Sequence, residues 1–265
     1  MRSSIRSAIL RLPSSTFIPA INFYYKISKF KLEVLSEDNG AILLKDSNNS
    51  SIYCKVRDRI IMYRNGINQR LNQLLDDYCI SGIEFKDHDV VIDCGANIGE
   101  FGLGLLNWNS KIKYIGFEPD KNLHACLLKN LPNSHIEKQG LWNKTGFITF
   151  YYATDTADSS IIEHSVYTEK EDIKVITLDE WTDGNNITKV KLLKIEAEGG
   201  EPEVLEGCVK TLAFTEYVTV DCGYERGINQ ESTAVDVCNF MFKNGFVLSN
   251  VSLKRGSFLF QNKLM

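Results

Sequence analysis

Continuous apolar runs alternate with helix-like segments along the chain from residue 88 onward. The run at 90–92 (Val-Val-Ile) is typical of a strand that is buried on both faces. It ends at Asp93, and beyond Gly95 and Gly99 the apolar residues recur at helical spacing. This pattern predicts a strand, a tight glycine turn and a helix, an arrangement that directs backbone N–H groups and a helix N-terminus towards a ligand.

The alternation continues through the rest of the sequence and predicts an α/β fold with a mostly parallel sheet. Residues 246–251 and 257–260 are expected to close the sheet as an antiparallel hairpin. The other predicted strands cover residues 113–117, 134–139, 147–152, 191–195 and 214–220.

Residues 1–82 follow a different pattern, and we predict an extension there, in front of a domain that covers residues 83–265. Short alternating segments between 31 and 56 predict a small antiparallel meander, and residues 66–80 predict an amphipathic helix. Residues 1–32 are basic, contain no acidic residue and place some apolar residues near one helical face. Three interpretations are open: a helical extension docked on the domain, a segment in peripheral contact with an anionic membrane, and an organelle transit peptide.

Composition narrows the class of protein. The chain has 265 residues, is 43% hydrophobic and has a mean hydropathy of −0.17, values typical of a soluble globular protein. Its net charge of −4 argues against a nucleic-acid partner bound by bulk electrostatics, and no apolar run has the roughly 20 residues of a membrane span. Seven Cys without C-x-x-C spacing suggest reduced thiols in a cytoplasmic protein, and four scattered His suggest no metal site.

The turn after the first strand and the end of the second strand together suggest an adenosyl ligand. The spacing G-x-N-x-G places Asn97 where a dinucleotide fingerprint, G-x-G-x-x-G, has its second glycine. The second strand ends in Glu118-Pro119, and a carboxylate there can accept hydrogen bonds from two ribose hydroxyls while repelling a 2′-phosphate. These features favour S-adenosylmethionine over NADP and, less strongly, over NAD.

Two further segments are candidates for ligand contact. Leu141 and Trp142 follow the third strand and could flank an adenine ring, although Trp142 could equally be a core residue. The polar segment 153–170 is long for a loop, and such loops often cover binding sites. Asp158, Ser159 and Ser160 within it could contact the cofactor or the acceptor, or could simply be solvated.

Acidic residues cluster after the strand at 191–195. Glu196 and Glu198 follow it directly, at the edge of the sheet where the cofactor turn is also expected. Glu201 and Glu203 suit the positive end of the following helix, where Pro202 suits the first turn. A role at the start of the helix accounts for Glu201 and Glu203 but not for the carboxylates before them. We therefore expect the side chains of Glu196 and Glu198 to face the site of the reaction.

These motifs together resemble the FkbM-type family of S-adenosylmethionine-dependent methyltransferases. The resemblance implies a seven-stranded Rossmann-like methyltransferase sheet with helices on both faces, and methyl transfer to an oxygen, often of a sugar or polyketide hydroxyl. The family usually has Asp where this chain has Glu196. The matching segments are VIDCGANIGEF at 91–101, GFEPD at 116–120, LDEW at 178–181 and LLKIEAEGGEPEVLEG at 192–207. The resemblance assigns cofactor binding to Asp93, Gly95, Asn97, Gly99 and Glu118, and we add the adjoining Ala96, Pro119, Leu141 and Trp142.

The predicted reaction needs a group that takes the proton of the acceptor hydroxyl. We expect Glu196 first and Glu198 second, because crowding of the two carboxylates would raise the pKa of one. Lys194 could hold a carboxylate or polarise the acceptor. Two other classes stay open: an NAD-type oxidoreductase, against which the missing G-x-G-x-x-G argues, and a non-catalytic protein that retains the fold.

Overall fold

The computed structural model describes residues 2–153, 159–163 and 167–265, and its first part consists of helices packed on a small antiparallel sheet. In chain order this part contains α1 (Arg2–Leu10), α2 (Ser14–Ile27), β1 (Leu32–Asp38), β2 (Ala41–Asp46), β3 (Ser51–Cys54), a 3-10 helix (Arg57–Tyr63) and α3 (Ile67–Asp77).

The remaining part begins with β4 (Val90–Cys94), α4 (Glu100–Trp108), β5 (Lys113–Phe117), α5 (Lys121–Asn130), β6 (His135–Glu137), β7 (Gly140–Leu141), β8 (Gly146–Tyr152) and β9 (Glu169–Ile176). It continues with α6 (Leu178–Gly184), β10 (Val190–Ile195), α7 (Glu201–Glu206), α8 (Val209–Leu212), β11 (Thr215–Asp221), β12 (Tyr224–Arg226), β13 (Glu231–Ser232), α9 (Ala234–Lys243), β14 (Phe246–Ser252) and β15 (Ser257–Asn262). Strands β7, β9 and β8 form a separate three-stranded sheet, so the predicted strand at 147–152 lies outside the main sheet, and β12 pairs with β13. The main sheet has seven strands in the order β14-β15-β11-β10-β4-β5-β6. Strands β6, β5, β4, β10 and β11 are parallel, and β15 is antiparallel to both of its neighbours.

Helices cover both faces of this sheet, as predicted. Along β4, Ile92 and Cys94 join a hydrophobic cluster with side chains of α6, α7 and α9. Val91 belongs to a second cluster, with side chains of α3, α4 and α5. Successive residues of a strand point to opposite faces, so the run at 90–92 is apolar throughout because both faces are buried.

The helices α5 and α7 each begin at a residue type that favours the start of a helix. The side chain of Asp120 caps α5 by accepting a hydrogen bond from the N–H of Asn122, at 2.8 Å. Pro202 occupies the first turn of α7, where its missing N–H is no loss. The sequence therefore determines where both helices start, immediately after the carboxyl ends of β5 and β10.

The N-terminal part is docked on the sheet domain, which confirms one of the three interpretations of residues 1–32. Phe17 and Ile21 of α2 share a hydrophobic cluster with Ile42 of the meander and Ile98 of the β4 turn. The side chain of Asn130 bonds the N–H and the carbonyl of a β3 residue, each at 2.8 Å, and thereby ties the meander to α5. The division at residue 82 remains a prediction. Within the described ranges no helix is both long and apolar enough to span a bilayer.

Candidate active site

The turn after β4 is held by the ends of two neighbouring strands. The N–H groups of Gly95 and Ala96 both donate to the carbonyl of Phe117, at 3.1 and 2.9 Å. Gly95 has φ +75°, and a Cβ on it would lie 2.0 Å from the carbonyl oxygen of Glu196. Asn97 also has positive φ, which Asn tolerates better than most residues. The turn therefore brings the backbone of β4 against that of β10, as only glycine allows.

Glu118 joins the same turn to the end of β5. Its carboxylate accepts hydrogen bonds from the N–H of Asn97, at 2.7 Å, and from the N–H of Asp120, at 2.8 Å. Burial raises the pKa of Glu118 to about 8, although these N–H groups act in the opposite direction. The carboxylate is thus fixed in orientation while it still lines a cavity. Each of its oxygens has a further lone pair for a ligand hydroxyl.

The turn after β10 is shaped by Glu201. Its carboxylate accepts hydrogen bonds from the N–H groups of Ala197 and Gly199, at 2.9 and 3.1 Å, and from the hydroxyl of Thr233, at 3.0 Å. Glu198 has φ +48°, a conformation that is uncommon outside glycine. Glu201 is therefore a structural carboxylate, whereas Glu198 is held in an unusual conformation at the cavity wall.

The first of two adjacent cavities, the Glu118 cavity, encloses about 580 Å³, part of it open to solvent. Glu118, Ser159 and Ser160 supply polar groups to its wall, and Pro119 lines it beside Glu118. Apolar side chains line it as well: Leu123, Leu141, Phe150 and Ile161. A carboxylate beside apolar walls is a donor set that fits an adenosyl group, with ribose hydroxyls on the acid and a base between the apolar side chains.

The second cavity, the Arg255 cavity, encloses about 800 Å³ and is lined mainly by charged and polar side chains. Its wall combines residues from the N-terminal part with residues of the sheet domain: Arg59, Arg70, Tyr78, Glu100, Lys194, Glu225 and Arg255. Gly95, Asn97, Glu196 and Glu198 line both cavities. The two spaces therefore meet where the β4 and β10 turns touch.

Glu196 is paired with two cations. This contradicts the argument for Glu196 as a base, which was a pKa raised by crowding with a second carboxylate. Its carboxylate forms ion pairs with Lys194, at 3.0 Å, and with Arg255, and accepts a hydrogen bond from the Tyr78 hydroxyl, at 2.5 Å. Burial by itself would raise the pKa of Glu196, but the two cations and these hydrogen bonds outweigh it and hold the pKa well below its usual range. The expected raised pKa is wrong for this residue, because its neighbours are cations and a phenol.

Lys194 and Asp93 form the buried end of this ion-pair network. The ammonium of Lys194 lies 2.9 Å from a carboxylate oxygen of Asp93 and donates to the carbonyl of Gly95, at 2.8 Å. Asp93 is fully buried, also accepts a hydrogen bond from Tyr114, and lines neither cavity. These two residues support the β4 turn from behind, so any effect of Asp93 on a cofactor passes through that turn.

The other predicted site residues divide between the cavities and the core. Leu141 lines the Glu118 cavity and Ala96 lines the Arg255 cavity. Trp142 is buried against Gly200, where a Cβ would come within 2.8 Å of the indole, so it is a core residue in this structure. Gly99 precedes α4 with φ +90° and lines neither cavity.

The described part of the segment 153–170 contributes residues to the wall of the Glu118 cavity, which is one of the two possibilities that the sequence left open. Ser160 pairs with a β8 residue through two backbone hydrogen bonds, and its hydroxyl donates to the carbonyl of Glu198, at 2.8 Å. The hydroxyl of Ser159 donates to Asp120, at 3.0 Å. Asp158, the third candidate, lies outside the described residues.

Glu225 and Arg255 are site residues that sequence reasoning missed. Glu225 Oε1 and Asp221 Oδ1 lie 3.2 and 3.4 Å from the point where a Cβ on Gly223 would sit, so the two carboxyl groups are neighbours. Arg255 reaches Asp221 at 2.7 Å. Burial and the charges of Asp221 and Glu196 raise the pKa of Glu225 to about 8. The charged loop 221–227 at a strand end was the available signal for Glu225, whereas nothing in the sequence near Arg255 indicates its role.

Within the described ranges, no group of three or more His, Cys, Asp or Glu side chains is arranged to hold a metal ion.

The sheet order, the glycine turn after β4 and the acid after β5 define a Rossmann-like α/β protein of the methyltransferase class. A family model described as the methyltransferase FkbM domain matches residues 93–248, more than half of the chain. The chain belongs to the FkbM methyltransferase family, as its motifs indicated.

Individual relatives are more distant. The hexuronic acid methyltransferase AglP of Haloferax volcanii is 30% identical over 143 residues, which are 52% of this chain and 57% of that relative. The chain therefore matches little more than half the length of AglP. Among solved structures, the precorrin-6y C5,15-methyltransferase of Geobacter metallireducens has a TM-score of 0.40 at 11% identity, covering 68% of this chain and 72% of its own. A SAM-dependent methyltransferase of Aquifex aeolicus has a TM-score of 0.41 at 12% identity, covering 72% and 87%.

Proposed function

We propose that the protein transfers a methyl group from S-adenosylmethionine to a hydroxyl oxygen of a sugar or a glycan. The observation that carries this proposal is the meeting of two chemically different cavities at Gly95, Asn97, Glu196 and Glu198. One cavity suits an adenosyl group and the other suits a hydroxyl-rich molecule. Methyl transfer needs such a junction, because the acceptor oxygen must approach the methyl group in line with the bond that breaks.

The Glu118 cavity would hold the cofactor. When bound, S-adenosylmethionine supplies a methyl group that is already activated on a sulfonium sulfur. Glu118 accepts the ribose hydroxyls, in an orientation fixed by the N–H groups of Asn97 and Asp120. Leu141 and Phe150 provide apolar surface for the adenine ring. Asp93, Gly95, Ala96 and Gly99 contribute by shaping the β4 turn.

The Arg255 cavity would hold the acceptor. Its wall carries guanidinium, carboxylate and phenol groups, which suit the many donors and acceptors of a sugar. The printed name of AglP gives a hexuronic acid as what that relative methylates, which supports a sugar acceptor for this chain as well. A hydroxyl is the acceptor group we favour, because carboxylates that can take its proton line the same wall.

We propose Glu225 as the group that takes this proton, with Glu198 at the junction as the alternative. Glu225 lines the acceptor cavity, and a base whose pKa is near the working pH is effective. Glu196 is a weaker base because two cations hold its charge. Its role in this proposal is to position Lys194 and Arg255 around the junction.

Binding of the cofactor tests the proposal before the acceptor is known. Calorimetric titration of the protein with S-adenosylmethionine should give a micromolar dissociation constant, and NADH should not bind. Glu118→Ala should weaken the affinity about fivefold or more, because it removes two hydrogen bonds from the ribose hydroxyls, each worth ~0.5–1.5 kcal/mol. Glu206→Ala, which changes an exposed acid outside both cavities, is the control and should bind as the wild type does.

The same titration separates the other two classes. Preferential binding of NADH would favour the NAD-type nucleotide-binding alternative. Cofactor binding without methyl transfer to any of a panel of sugars and uronic acids would favour a non-catalytic protein. A cytoplasmic location and the lack of a nucleic-acid partner remain predictions from the sequence.

A further inference from the structure

The outward face of α2 carries large apolar side chains. Phe23 and Ile27 are 67% and 63% exposed, and they lie four residues apart, on one side of the helix. The opposite side is buried through Phe17 and Ile21, so α2 already has a complete hydrophobic face towards the protein. Ile5 of α1 is exposed as well, at 48%. The helix pair therefore presents apolar surface that the fold of this chain does not use.

Exposed basic side chains accompany this apolar surface. Lys26 and Lys29 are exposed and lie close to Phe23 and Ile27 along the chain. Residues 1–32 contain six Lys and Arg residues and no Asp or Glu, leaving 24 basic against 34 acidic residues in the rest of the chain. Acids from other segments contact the helix pair at Arg6, which pairs with Asp58, and at Ser14, which bonds Glu37. The helix pair is thus a basic, partly apolar segment on a protein whose remaining sequence has a net negative charge.

The helix pair is fastened to the domain and cannot hide this face by turning inward. The side chain of Asn22 exchanges two hydrogen bonds with the backbone of Val34 in β1, both at 2.8 Å. Arg57 donates to the carbonyls of Leu10 and Leu12, at 2.9 and 2.6 Å, and so holds the connection between the two helices. The exposed face of α2 is therefore a permanent surface of the molecule.

We propose that the outward face of α1 and α2 docks on a bilayer that contains anionic phospholipid. Phe23 and Ile27 would enter the boundary between headgroups and acyl chains, while the Lys side chains reach the lipid phosphates. Charge complementarity favours this occupant, because an anionic surface attracts the basic residues 1–32 and repels the net negative charge of the remaining sequence. A second copy of the chain is the poorer occupant, since a two-fold interface would place these cations against themselves.

One short 3-10 helix contacts the docking surface and also contributes to the wall of the proposed acceptor cavity. Arg57, which anchors α1 and α2, belongs to the same 3-10 helix as Arg59, which lines the Arg255 cavity. The inference about the bilayer does not depend on the proposed reaction, because it rests on the surface of α1 and α2 alone.

Vesicle sedimentation of the full chain tests the inference. Vesicles with about 30% phosphatidylglycerol in phosphatidylcholine should bind the protein at low salt, and pure phosphatidylcholine should bind it much more weakly. The double variant Phe23→Ser/Ile27→Ser should lower the partition coefficient at least about tenfold. Lys26→Gln and Lys29→Gln should each lower it about fivefold, the factor expected for one cation near an anionic surface.

The control is Phe147→Ser/Val235→Ser, which also replaces one exposed aromatic and one exposed aliphatic residue, 75% and 72% exposed, outside α1 and α2. It should bind vesicles as the wild type does. The inference is overturned if the wild type does not bind anionic vesicles, or if the control loses as much binding as the α2 variant. It is also overturned if size-exclusion chromatography shows a dimer that only Phe23→Ser/Ile27→Ser dissociates, because the face would then serve a second copy. Circular dichroism of each variant confirms that it is folded.

Discussion

The turns that follow β4 and β10 lie side by side, but the residues that bond them come from different distances along the chain. In the β4 turn, the N–H groups of Gly95 and Asn97 donate to residues 22 and 21 positions later, at the end of β5. In the β10 turn, Glu196 is bound by Tyr78 and Arg255, which are 118 and 59 residues away. The first turn can be interpreted from a local motif, whereas the charge state of the second is decided by the tertiary fold.

This difference explains why an acidic cluster is a poor guide to catalytic roles. Four carboxylates follow β10 within eight residues, yet Glu201 holds the backbone of the turn and Glu203 pairs with Arg226, at 2.6 Å. Glu196 is paired with two cations, and Glu198 lines both cavities in a conformation with positive φ. Number and position of acids therefore indicated the region of the site but not the function of each residue.

Gly95→Ala breaks the β4 turn and should have the largest effect on stability. The new Cβ would overlap the Glu196 carbonyl at a positive φ, which costs roughly 2–5 kcal/mol through overpacking and left-handed strain. We expect this loss in the free energy of unfolding measured with urea, together with loss of cofactor binding. The control is Gly82→Ala, because no atom lies within 4 Å of the Cβ that this substitution would add. It should change the free energy of unfolding by less than about 0.5 kcal/mol. Equal stability of the two variants would show that the turns do not touch as described.

Glu225→Gln sharpens the assignment of the base. Once an acceptor is found, the wild-type rate should rise with pH through an inflection near 8, because only the deprotonated carboxylate can accept a proton. The variant should lose the inflection and about 100-fold in rate, with cofactor affinity unchanged. Glu231→Gln, in the partner strand β13, is the control. A variant that keeps both the inflection near 8 and the wild-type rate would show that Glu225 is not the base.

Arg255→Met tests whether distant residues set the charge of the β10 turn. The substitution leaves Glu196 and Asp221 without this cation, and we expect the free energy of unfolding to fall by roughly 1–3 kcal/mol. Breaking a fully buried ion pair costs ~3–5 kcal/mol, and the smaller value is expected here because the Arg255 side chain is 24% exposed. The pKa of Glu196 is lowered in the folded protein, so its pairing stabilises the fold above the unfolded pKa of about 4.5 and less as pH falls. The difference between variant and wild type should thus be larger at pH 7 than at pH 4.

The neighbouring Lys254→Met is the control for that experiment. Lys254 is 74% exposed and approaches Asp77 only at 3.9 Å, so its removal should change stability by less than about 0.5 kcal/mol at either pH. If Arg255→Met behaves like Lys254→Met, then Glu196 does not depend on Arg255.

The sequence was sufficient for the sheet and for the shape of the β4 turn, and the reasons are local. The run at 90–92, the glycines after it and the acid at the end of β5 each determine structure within one strand-turn-helix unit. The surroundings of Glu196 could not be predicted in the same way. Tyr78 comes from the helical region before β4 and Arg255 from the turn between β14 and β15, and only the folded sheet brings them to Glu196.

Trp142 shows a second limit of local interpretation. Leu141 ends the short strand β7 and Trp142 follows it directly, and either could have faced a ligand. Successive side chains in an extended segment point to opposite sides, so only one of the two can do so. Leu141 lines the Glu118 cavity, and Trp142 is buried beneath the β10 turn. The choice between them depends on strand register, which the two residues do not encode.

A crystal structure of the protein with S-adenosylhomocysteine tests the central claim most directly. We expect both ribose hydroxyls within ~3 Å of the Glu118 carboxylate, the adenine ring beside Leu141 and Phe150, and the sulfur at the junction formed by Gly95 and Glu198. A ligand bound in the Arg255 cavity, or a ribose that does not contact Glu118, would contradict the assignment of the two cavities.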